Sequence, residues 1–312
     1  MSALICGSMA YDTIMVFPDH FKKHILPEQI HILSVSFLVP EMRREVGGCA
    51  GNIAYTLKLL GSEPLIMATV GKDFDLYATW LDQQGIRRDY ITEHEGFTGQ
   101  CFITTDLDDN QIAAFHPGAM GVSHVNTVAM VKEPLQIGIV SPDGKQGMQE
   151  HARQLAAAKV PFIFDPGQGM PMFSGEELLE LVELASYLTL NDYEAEMLSK
   201  ATGLSIAQLA TKVEALIVTL GAQGAQIYAN GVCHQIPAVP AAAVVDPTGC
   251  GDAFRAGLLH GLLQGWDWPT TGRLASLLGS IKIAHQGGQN HKFTRVELAE
   301  QYQTAFGQVL PA

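Results

Sequence analysis

The residues best suited to chemistry lie in one short stretch near the C-terminus, Asp246-Pro-Thr-Gly-Cys-Gly-Asp252. Glycines that lead into a helix leave backbone N–H groups unpaired at its N-terminus, where the helix dipole also favours negative charge. The N–H groups of Gly249, Cys250 and Gly251 are therefore expected to bind an anion. Asp252 would lie within reach of a substrate hydroxyl and take its proton. A capping Asp after a glycine turn shares the short form of this pattern, so the assignment depends on the whole string.

Four other segments combine polar residues with glycines or with the ends of apolar runs. They are Gly7-Ser-Met-Ala-Tyr-Asp12, Val46-Gly-Gly-Cys-Ala-Gly-Asn52, Asn191-Asp-Tyr-Glu194 and Thr219-Leu-Gly-Ala-Gln-Gly224. Each has a purely structural alternative, because such residues also cap turns, begin helices and end strands. Their value lies in their occurrence together with the 246–252 segment.

The elements that must position these segments alternate between short apolar runs and amphipathic stretches. The strand candidates are 3–6, 65–70, 137–141, 162–165, 187–190 and 216–220. The helix candidates are 50–60, 75–84, 146–158, 176–186, 193–201 and 252–264. This alternation predicts an α/β fold with a mostly parallel central sheet and helices on both faces.

Two segments break the alternation. Residues 12–46 and 89–115 read as strands without crossover helices, with a turn expected at 108–110. We expect them to form a small antiparallel sheet that acts as a lid over the active site of a single domain, 1–312. The exposed strand edges of such a sheet would need protection, which motivates the hypothesis of a homodimer.

Composition excludes several classes of protein. The 312 residues are 47% hydrophobic and 16% charged, as in ordinary globular proteins. Lys and Arg number 19 against 32 Asp and Glu, so the net charge of −13 argues against nucleic acid or an anionic membrane as a partner. The five cysteines include no C-x-x-C pair, which favours reduced thiols in a cytoplasm. The uncharged stretch 215–245 contains too many Gly and Pro residues for a membrane-spanning helix.

The string D-P-T-G-C-G-D-A-F resembles the C-terminal signature of the carbohydrate and nucleoside kinases of the PfkB, or ribokinase-like, family. The other segments resemble the family's landmarks in the same order, from residue 3 to about residue 290. The resemblance implies a ribokinase-like three-layer α/β/α fold with a small β-sheet lid. It also implies direct phosphoryl transfer from ATP to a substrate hydroxyl.

The resemblance further implies a role for each segment. Asp252 would be the general base, and the Gly249–Gly251 turn the anion hole. The residues implied in substrate binding are Asp12, Gly47, Gly48 and Asn52. Those implied in nucleotide binding are Asn191, Thr219, Gly221, Gly224 and Gly288. Glu194 would act on Mg²⁺ through water, and Asp246 and Thr248, with the backbone around Gly288, match positions where cation-dependent members hold K⁺.

Departures from the ribose-specific pattern favour a nucleoside. Cys49 stands where those relatives carry a Lys, and Val140 where they carry a Glu, so the pocket is more apolar and better suited to a purine base. Segments 114–120 and 286–291 resemble bacterial and archaeal adenosine or broad nucleoside kinases. We therefore expect the 5′-hydroxyl of adenosine or a related nucleoside to be phosphorylated. A kinase for ribose, fructose or a similar sugar is the alternative.

Other residues and other classes of protein complete the expectations. Phe97, Phe102 and Phe115 of the expected lid could stack on a base or pack in a core. Arg255 could assist phosphate binding or form a structural ion pair. The histidines at 116, 285 and 291 are interpreted as surface or nucleotide-side groups. The chain contains neither the G-x-G-x-x-G of a dinucleotide-dependent oxidoreductase nor a P-loop, and the presence of Asp252 argues against a catalytically silent protein.

Overall fold

The computed structural model describes residues 2–25, 32, 34–108 and 110–311. Residues 26–31 and 33 of the expected lid, and residue 109 of the expected turn, lie outside the described residues. The strands are β1 (Ser2–Cys6), β2 (Ala10–Val16), β3 (Glu41–Gly47), β4 (Glu63–Val70), β5 (Tyr90–Glu93), β6 (Gly99–Thr105), β7 (Gln111–His116), β8 (Ile137–Val140), β9 (Phe162–Phe164), β10 (Tyr187–Asn191), β11 (Ala215–Thr219), β12 (Ala225–Ala229) and β13 (Val232–Ile236). The helices are α1 (Cys49–Leu59), α2 (Asp75–Gln83), α3 (Lys145–Ala157), α4 (Gly175–Leu184), α5 (Asp192–Thr202), α6 (Ile206–Ala210), α7 (Cys250–Gln264), α8 (Trp268–Ile283) and α9 (Arg295–Phe306).

The expected strands and helices are confirmed, with ends that differ by at most two residues. Nine strands form a large sheet in the order β13-β12-β11-β10-β9-β8-β1-β4-β5. The strands from β11 to β5 in that order are parallel, whereas β12 and β13 are antiparallel additions at one edge. The uncharged stretch 215–245 supplies this edge, since β12 and β13 lie within it.

Helices cover both faces of the large sheet, so the side chains of its central strands alternate between two buried cores. In β1, Ala3 and Ile5 pack on the side of α1, α2 and α7, whereas Leu4 and Cys6 pack on the side of α3 and α4. All four are at most 1% exposed. A strand buried on both faces reads as a continuous apolar run, which is the pattern in the sequence. Among the residues that the structure describes, none of the helices combines the length and apolar character needed to cross a bilayer.

The second sheet, here called the small sheet, contains β2, β3, β6 and β7 in the order β3-β2-β6-β7. It was expected to be antiparallel, but its central pair, β2 and β6, is parallel. Both strands follow connections from parallel strands of the large sheet, β1 and β5, so they leave the same edge in the same direction. The first part of the expected lid segment 89–115 lies elsewhere, because Tyr90–Glu93 pairs with β4 in the large sheet.

Two helices begin at glycines in the left-handed region of backbone space. Gly48, with φ 84°, precedes α1, and Gly249, with φ 78°, precedes α7. A Cβ on Gly48 would lie 2.6 Å from the carbonyl oxygen of Ser8, so a side chain there meets both strain and a close contact. The first turns of these helices meet, because Asn52 of α1 hydrogen-bonds Asp252 of α7.

Candidate active site

The residues expected to have functional roles lie near the carboxyl ends of the parallel strands. The chain adds β4 and β5 on one side of β1, and β8 to β11 on the other. Ligands of open α/β sheets bind in the crevice where the strand order reverses in this way. Close packing brings the two sides together there, since Ser8 N–H donates to the carbonyl of Pro142 at 3.0 Å.

Asp252 lies in the first turn of α7 and is partly buried. Its Oδ2 accepts a hydrogen bond from Asn52 Nδ2 at 2.8 Å. Burial raises the pKa of the Asp252 carboxyl to about 6, although the hydrogen bond from Asn52 and the charge of Arg255 both act to lower it. A base with this pKa is mostly ionised at neutral pH and is still able to hold a proton during reaction.

The anion site differs from the expectation in one donor. The N–H of Cys250 is not free, because it donates to the carbonyl oxygen of Pro247 at 3.1 Å and closes the turn before the helix. In the described part of the chain, the N–H groups of Gly249, Gly251 and Asp252 have no hydrogen-bond acceptor. The unpaired donors therefore include that of Asp252 itself in place of that of Cys250.

A chain of buried amides orients Asn52. Trp80 Nε1, which can only donate, bonds Gln289 Oε1 at 2.9 Å. The amide nitrogen of Gln289 must then face Asn52 Oδ1, at 3.1 Å, and it also contacts the hydroxyl of Tyr77. Consequently the Asn52 amide nitrogen faces the Asp252 carboxylate. Sequence reasoning missed Trp80, Tyr77 and Gln289, since the two aromatics resemble any buried face of a helix.

Gly288 and Gly249 allow this network to pack against the 246–252 turn. A Cβ on Gly288 would overlap Asn52 Oδ1, and a Cβ on Gly249 would lie 3.0 Å from the Gly288 Cα. The resemblance assigned Gly288 to nucleotide or cation binding. The structure places it against Asn52, where only a glycine fits.

Asp12 lies on β2, opposite Glu45 of β3 and Cys101 of β6. A Cβ on Gly47 would lie 2.5 Å from Asp12 Oδ2, so this glycine makes room for the carboxylate. Burial, and to a smaller extent the charges of Asp246, Asp252 and Glu45, raise the pKa of Asp12 to about 6. Asp12 and Asp252 therefore share one acidic pocket, which suits a ligand that donates hydroxyl protons to both.

Arg255 forms the structural ion pair, one of the two expected alternatives. It is 6% exposed, and its Nε and Nη2 lie 2.5 and 2.8 Å from the two carboxylate oxygens of Asp165. Its Nη1 donates to the carbonyl of Gly251 at 3.2 Å, and Nη2 lies 3.9 Å from Glu194 Oε2. Burial acts to lower the pKa of Arg255, but the carboxylate of Asp165 raises it, so the guanidinium stays charged. Arg255 thus connects the first turn of α7 with Glu194.

Asn191 and Glu194 form a capping box at the start of α5. Glu194 N–H donates to Asn191 Oδ1, and Asn191 N–H donates to Glu194 Oε2, both at 2.7 Å. Burial raises the pKa of Glu194. Within the described ranges, Glu194 Oε1 has no hydrogen-bond donor, so one carboxylate oxygen is available to a hydrated cation. Asn191 also lies beside Thr219, its register partner on β11, so two of the expected nucleotide residues are neighbours.

The two glycines after β11 have different environments. Gly221 has φ 55° and no atom within 4 Å of a Cβ placed on it, which leaves its backbone accessible to a ligand. Gly224 has φ 91°, and its Cβ would overlap the carbonyl oxygen of Ile236. Gly224 is therefore required by the β12–β13 hairpin, whereas Gly221 is the one open to contact.

Asp246 and Thr248 come together at the turn before α7. Asp246 Oδ1 accepts from the N–H of Thr248 at 2.9 Å, and Oδ2 accepts from the N–H of Gly287 at 2.8 Å. Although burial opposes the change, the hydrogen bonds from Gly287 and Thr248 lower the pKa of Asp246. Both carboxylate oxygens are thus occupied by backbone donors, and the turn is fixed to the 285–288 loop.

The interpretation of His291 as a surface or nucleotide-side group is wrong. His291 is 0% exposed, its Nε2 lies 3.0 Å from Thr56 Oγ1, and its carbonyl accepts from the hydroxyl of Tyr55 at 2.7 Å. Burial lowers the pKa of His291 to about 3, so it is a neutral packing residue. It supports the end of the loop that carries Gly288.

Comparisons with known proteins give a family model, similar proteins and similar structures. The family model described as pfkB family carbohydrate kinase matches residues 9–294. The Burkholderia thailandensis nucleoside kinase, in its structure with inosine, is 52% identical, covers 99% of this chain and 100% of its own, and superposes with a TM-score of 0.91. A Methanocaldococcus jannaschii nucleoside kinase is 33% identical over 83% of this chain and 85% of its own length. A Bacillus subtilis ribokinase is 27% identical over 81% of this chain and 86% of its own length. The expected ribokinase-like α/β fold is confirmed.

The raised pKa of Asp252 predicts that its ionised form costs folding stability. A carboxyl whose pKa is about 6 in the folded state and 3.8 in the unfolded chain binds more protons in the folded state between those pH values, so stability falls as pH rises through that window. We expect Asp252→Asn to raise the free energy of unfolding by roughly 1–3 kcal/mol above pH 7. This increase in the free energy of unfolding should vanish near pH 4. Urea unfolding at pH 8 and at pH 4 measures it. A variant equally or less stable than wild type at pH 8 would contradict this prediction.

The packing of Gly288 predicts that a single methyl group disturbs the base. In Gly288→Ala the new Cβ would displace Asn52 from Asp252, and we expect kcat/KM to fall by roughly 10- to 100-fold. The control is Gly279→Ala in α8, where the nearest atom to the new Cβ is the Cys250 carbonyl oxygen at 3.7 Å. Equal activity of the two variants would mean that the position of Asn52 does not matter to the reaction.

Proposed function

This chain belongs to the pfkB family of carbohydrate kinases, and from that premise we propose that it transfers the γ-phosphoryl group of ATP to the 5′-hydroxyl of a purine nucleoside such as adenosine. The 52% identical Burkholderia thailandensis nucleoside kinase, whose structures include complexes with inosine and with ADP-inosine, supports a nucleoside substrate and ATP as the donor. The site supplies an ionised carboxylate beside unpaired N–H donors at a helix N-terminus, which is what this reaction requires.

In the proposed reaction, the oxygen of the 5′-hydroxyl attacks the γ-phosphorus, and the ionised Asp252 carboxylate accepts the hydroxyl proton. A new O–P bond forms, the bond from the γ-phosphorus to the bridging oxygen breaks, and ADP leaves with that electron pair. The N–H groups of Gly249, Gly251 and Asp252 stabilise the charge on the transferring group. Asp252 then releases its proton to solvent.

The proposed nucleotide site lies along the ends of β10 and β11. Thr219 and the open backbone at Gly221 would contact ATP, and Asn191 borders them. Mg²⁺ bound to the phosphates supplies charge neutralisation. Glu194 would hold its hydration shell, since one carboxylate oxygen is free and Mg²⁺ gives up water reluctantly. Residues 246–252 form the proposed catalytic turn. Arg255, which is paired with Asp165, contacts both Gly251 of this turn and Glu194, and so fixes their relative positions.

One observation on the small sheet favours a nucleoside over a free sugar. Asp12 pairs with Cys101 on β6, and Cys101 pairs with Phe115 on β7, so all three side chains lie on one face. Strands are about 4.8 Å apart, which puts the Phe115 backbone about 10 Å from that of Asp12. Phe115 is 55% exposed. An aromatic ring at this distance from a sugar-binding carboxylate suits the base of a nucleoside, and a free pentose would not reach it.

The substrate prediction is tested by ADP release from ATP and Mg²⁺ with adenosine, inosine, guanosine, cytidine, ribose and fructose. We expect turnover of the purine nucleosides and little turnover of the free sugars. Asp252→Asn should lower kcat by roughly 10²- to 10⁴-fold because the general base is lost. The matched control is Asp267→Asn, since Asp267 caps α8 and Asn caps a helix equally well. If ribose or fructose is phosphorylated and the nucleosides are not, the protein is a sugar kinase. This is the alternative that similarity to the Bacillus subtilis ribokinase supports.

The role of Phe115 is tested against a second exposed aromatic of the small sheet. Phe102 pairs with Thr13 and so lies on the face opposite to Asp12. We expect Phe115→Ala to raise the KM for adenosine by roughly 5- to 100-fold through loss of stacking, while the KM for ATP is unchanged. Phe102→Ala should leave both constants unchanged. If the two variants have the same KM for adenosine, Phe115 does not contact the base.

A further inference from the structure

Lys282, near the C-terminal end of α8, is 0% exposed. Its Nζ donates hydrogen bonds to the carbonyl oxygens of Asp246 at 2.7 Å and His285 at 3.1 Å. Lysine is almost never fully buried unless its charge is compensated. This one is compensated by carbonyl oxygens on two separate segments, with no salt bridge to a carboxylate in the described part of the chain.

The two carbonyls lie on the segments that hold the catalytic turn. Asp246 begins the turn that leads into α7, and His285 begins the loop that carries Gly288. The carbonyl of Ile283, in the last turn of α8, also accepts the N–H groups of Val245 and Asp246. The ammonium therefore lies at the negative end of the α8 dipole and ties the turn to it.

Charge around Lys282 favours its protonated form. Burial lowers the pKa of its ammonium, but the nearby groups of Cys250, Asp246 and Asp252 act in the opposite direction. The acidic pocket thus gains one positive charge that cannot diffuse away.

The oxygen atoms around Lys282 Nζ cannot bind a potassium ion in addition to the ammonium group. K⁺ would need oxygen ligands, yet the carbonyls of Asp246 and His285 already bind Lys282 Nζ, and both carboxylate oxygens of Asp246 accept backbone N–H groups. A second cation sharing these oxygens would lie within a few ångströms of a like charge in a poorly solvated site.

We propose that Lys282 is a tethered substitute for a monovalent cation, so that this kinase orders its 246–252 turn without K⁺. The inference rests on the proposed role of that turn in phosphoryl transfer. A covalently held ammonium has no binding equilibrium, and the turn is therefore ordered at any concentration of K⁺.

The first arm of the test uses the wild-type protein in KCl, NaCl and tetramethylammonium chloride at one ionic strength. We expect the same kcat/KM and the same thermal unfolding midpoint in all three salts. The unfolding measurement needs no turnover, so it tests the inference even if the proposed substrate is wrong. Activity that requires K⁺, or an unfolding midpoint raised by K⁺ alone, would overturn the proposal.

The second arm removes the ammonium in two ways. Lys282→Ala leaves a space between the two carbonyls, and we expect kcat/KM in tetramethylammonium chloride to fall by roughly 10- to 100-fold, with recovery and a higher unfolding midpoint in KCl or NH₄Cl. Lys282→Met fills the space and should lose activity without recovery. The exposed Lys292→Met variant is the control and should behave as wild type. A folded Lys282→Ala variant that gains nothing from either cation would overturn the proposal. If that variant does not fold, the wild-type salt comparison decides.

Discussion

The site depends on the contact between the first turns of α1 and α7, where Asn52 donates to Asp252. Each helix begins at a glycine with positive φ, so the backbone turns sharply before both helices and the N-termini of the two helices converge. The convergence places unpaired N–H donors, a carboxylate and an oriented amide within one pocket. The buried chain from Trp80 through Gln289 fixes the direction of every hydrogen bond in it, because the indole can only donate.

Charge compensation is the second constraint on the pocket. Asp12 and Asp252 have raised pKa values because burial disfavours their ionised forms, and they are surrounded by further carboxylates. Two buried cations with fixed hydrogen-bond partners compensate part of this negative charge. Arg255 pairs with Asp165 in two parallel hydrogen bonds, and Lys282 binds carbonyls at the other side of the turn. Arg255 and Lys282 thus lie on either side of the turn and offset part of the negative charge of the pocket.

The sequence predicts the strands, the helices and the position of the 246–252 turn, because apolar periodicity and glycine-led helix starts are local patterns. It does not predict that the N–H of Cys250 closes a turn with Pro247, which depends on backbone angles. Lys282 resembles any lysine near the end of a helix, and only the packing of α8 against the turn makes it a buried cation. The bond between Trp80 and Gln289 joins residues 209 positions apart, and no local pattern contains that information. The parallel pairing of β2 and β6 likewise follows from the path of the whole chain.

All four strands of the small sheet join the rest of the protein at the same end. Ala10, Gly47 and Gly99 form a row there, and His116 lies in the adjacent row, opposite Gln100. At its opposite end, the described residues of 17–40 and 106–110 follow one strand of this sheet and precede another. A sheet whose strands enter and leave at one end can move as a flap that pivots about that end. At about 3.3 Å per residue, Asp12 lies about 7 Å from the pivot and Val16 about 20 Å from it. For the same rotation, the Asp12 carboxylate therefore travels only about a third as far as the outer edge of the sheet.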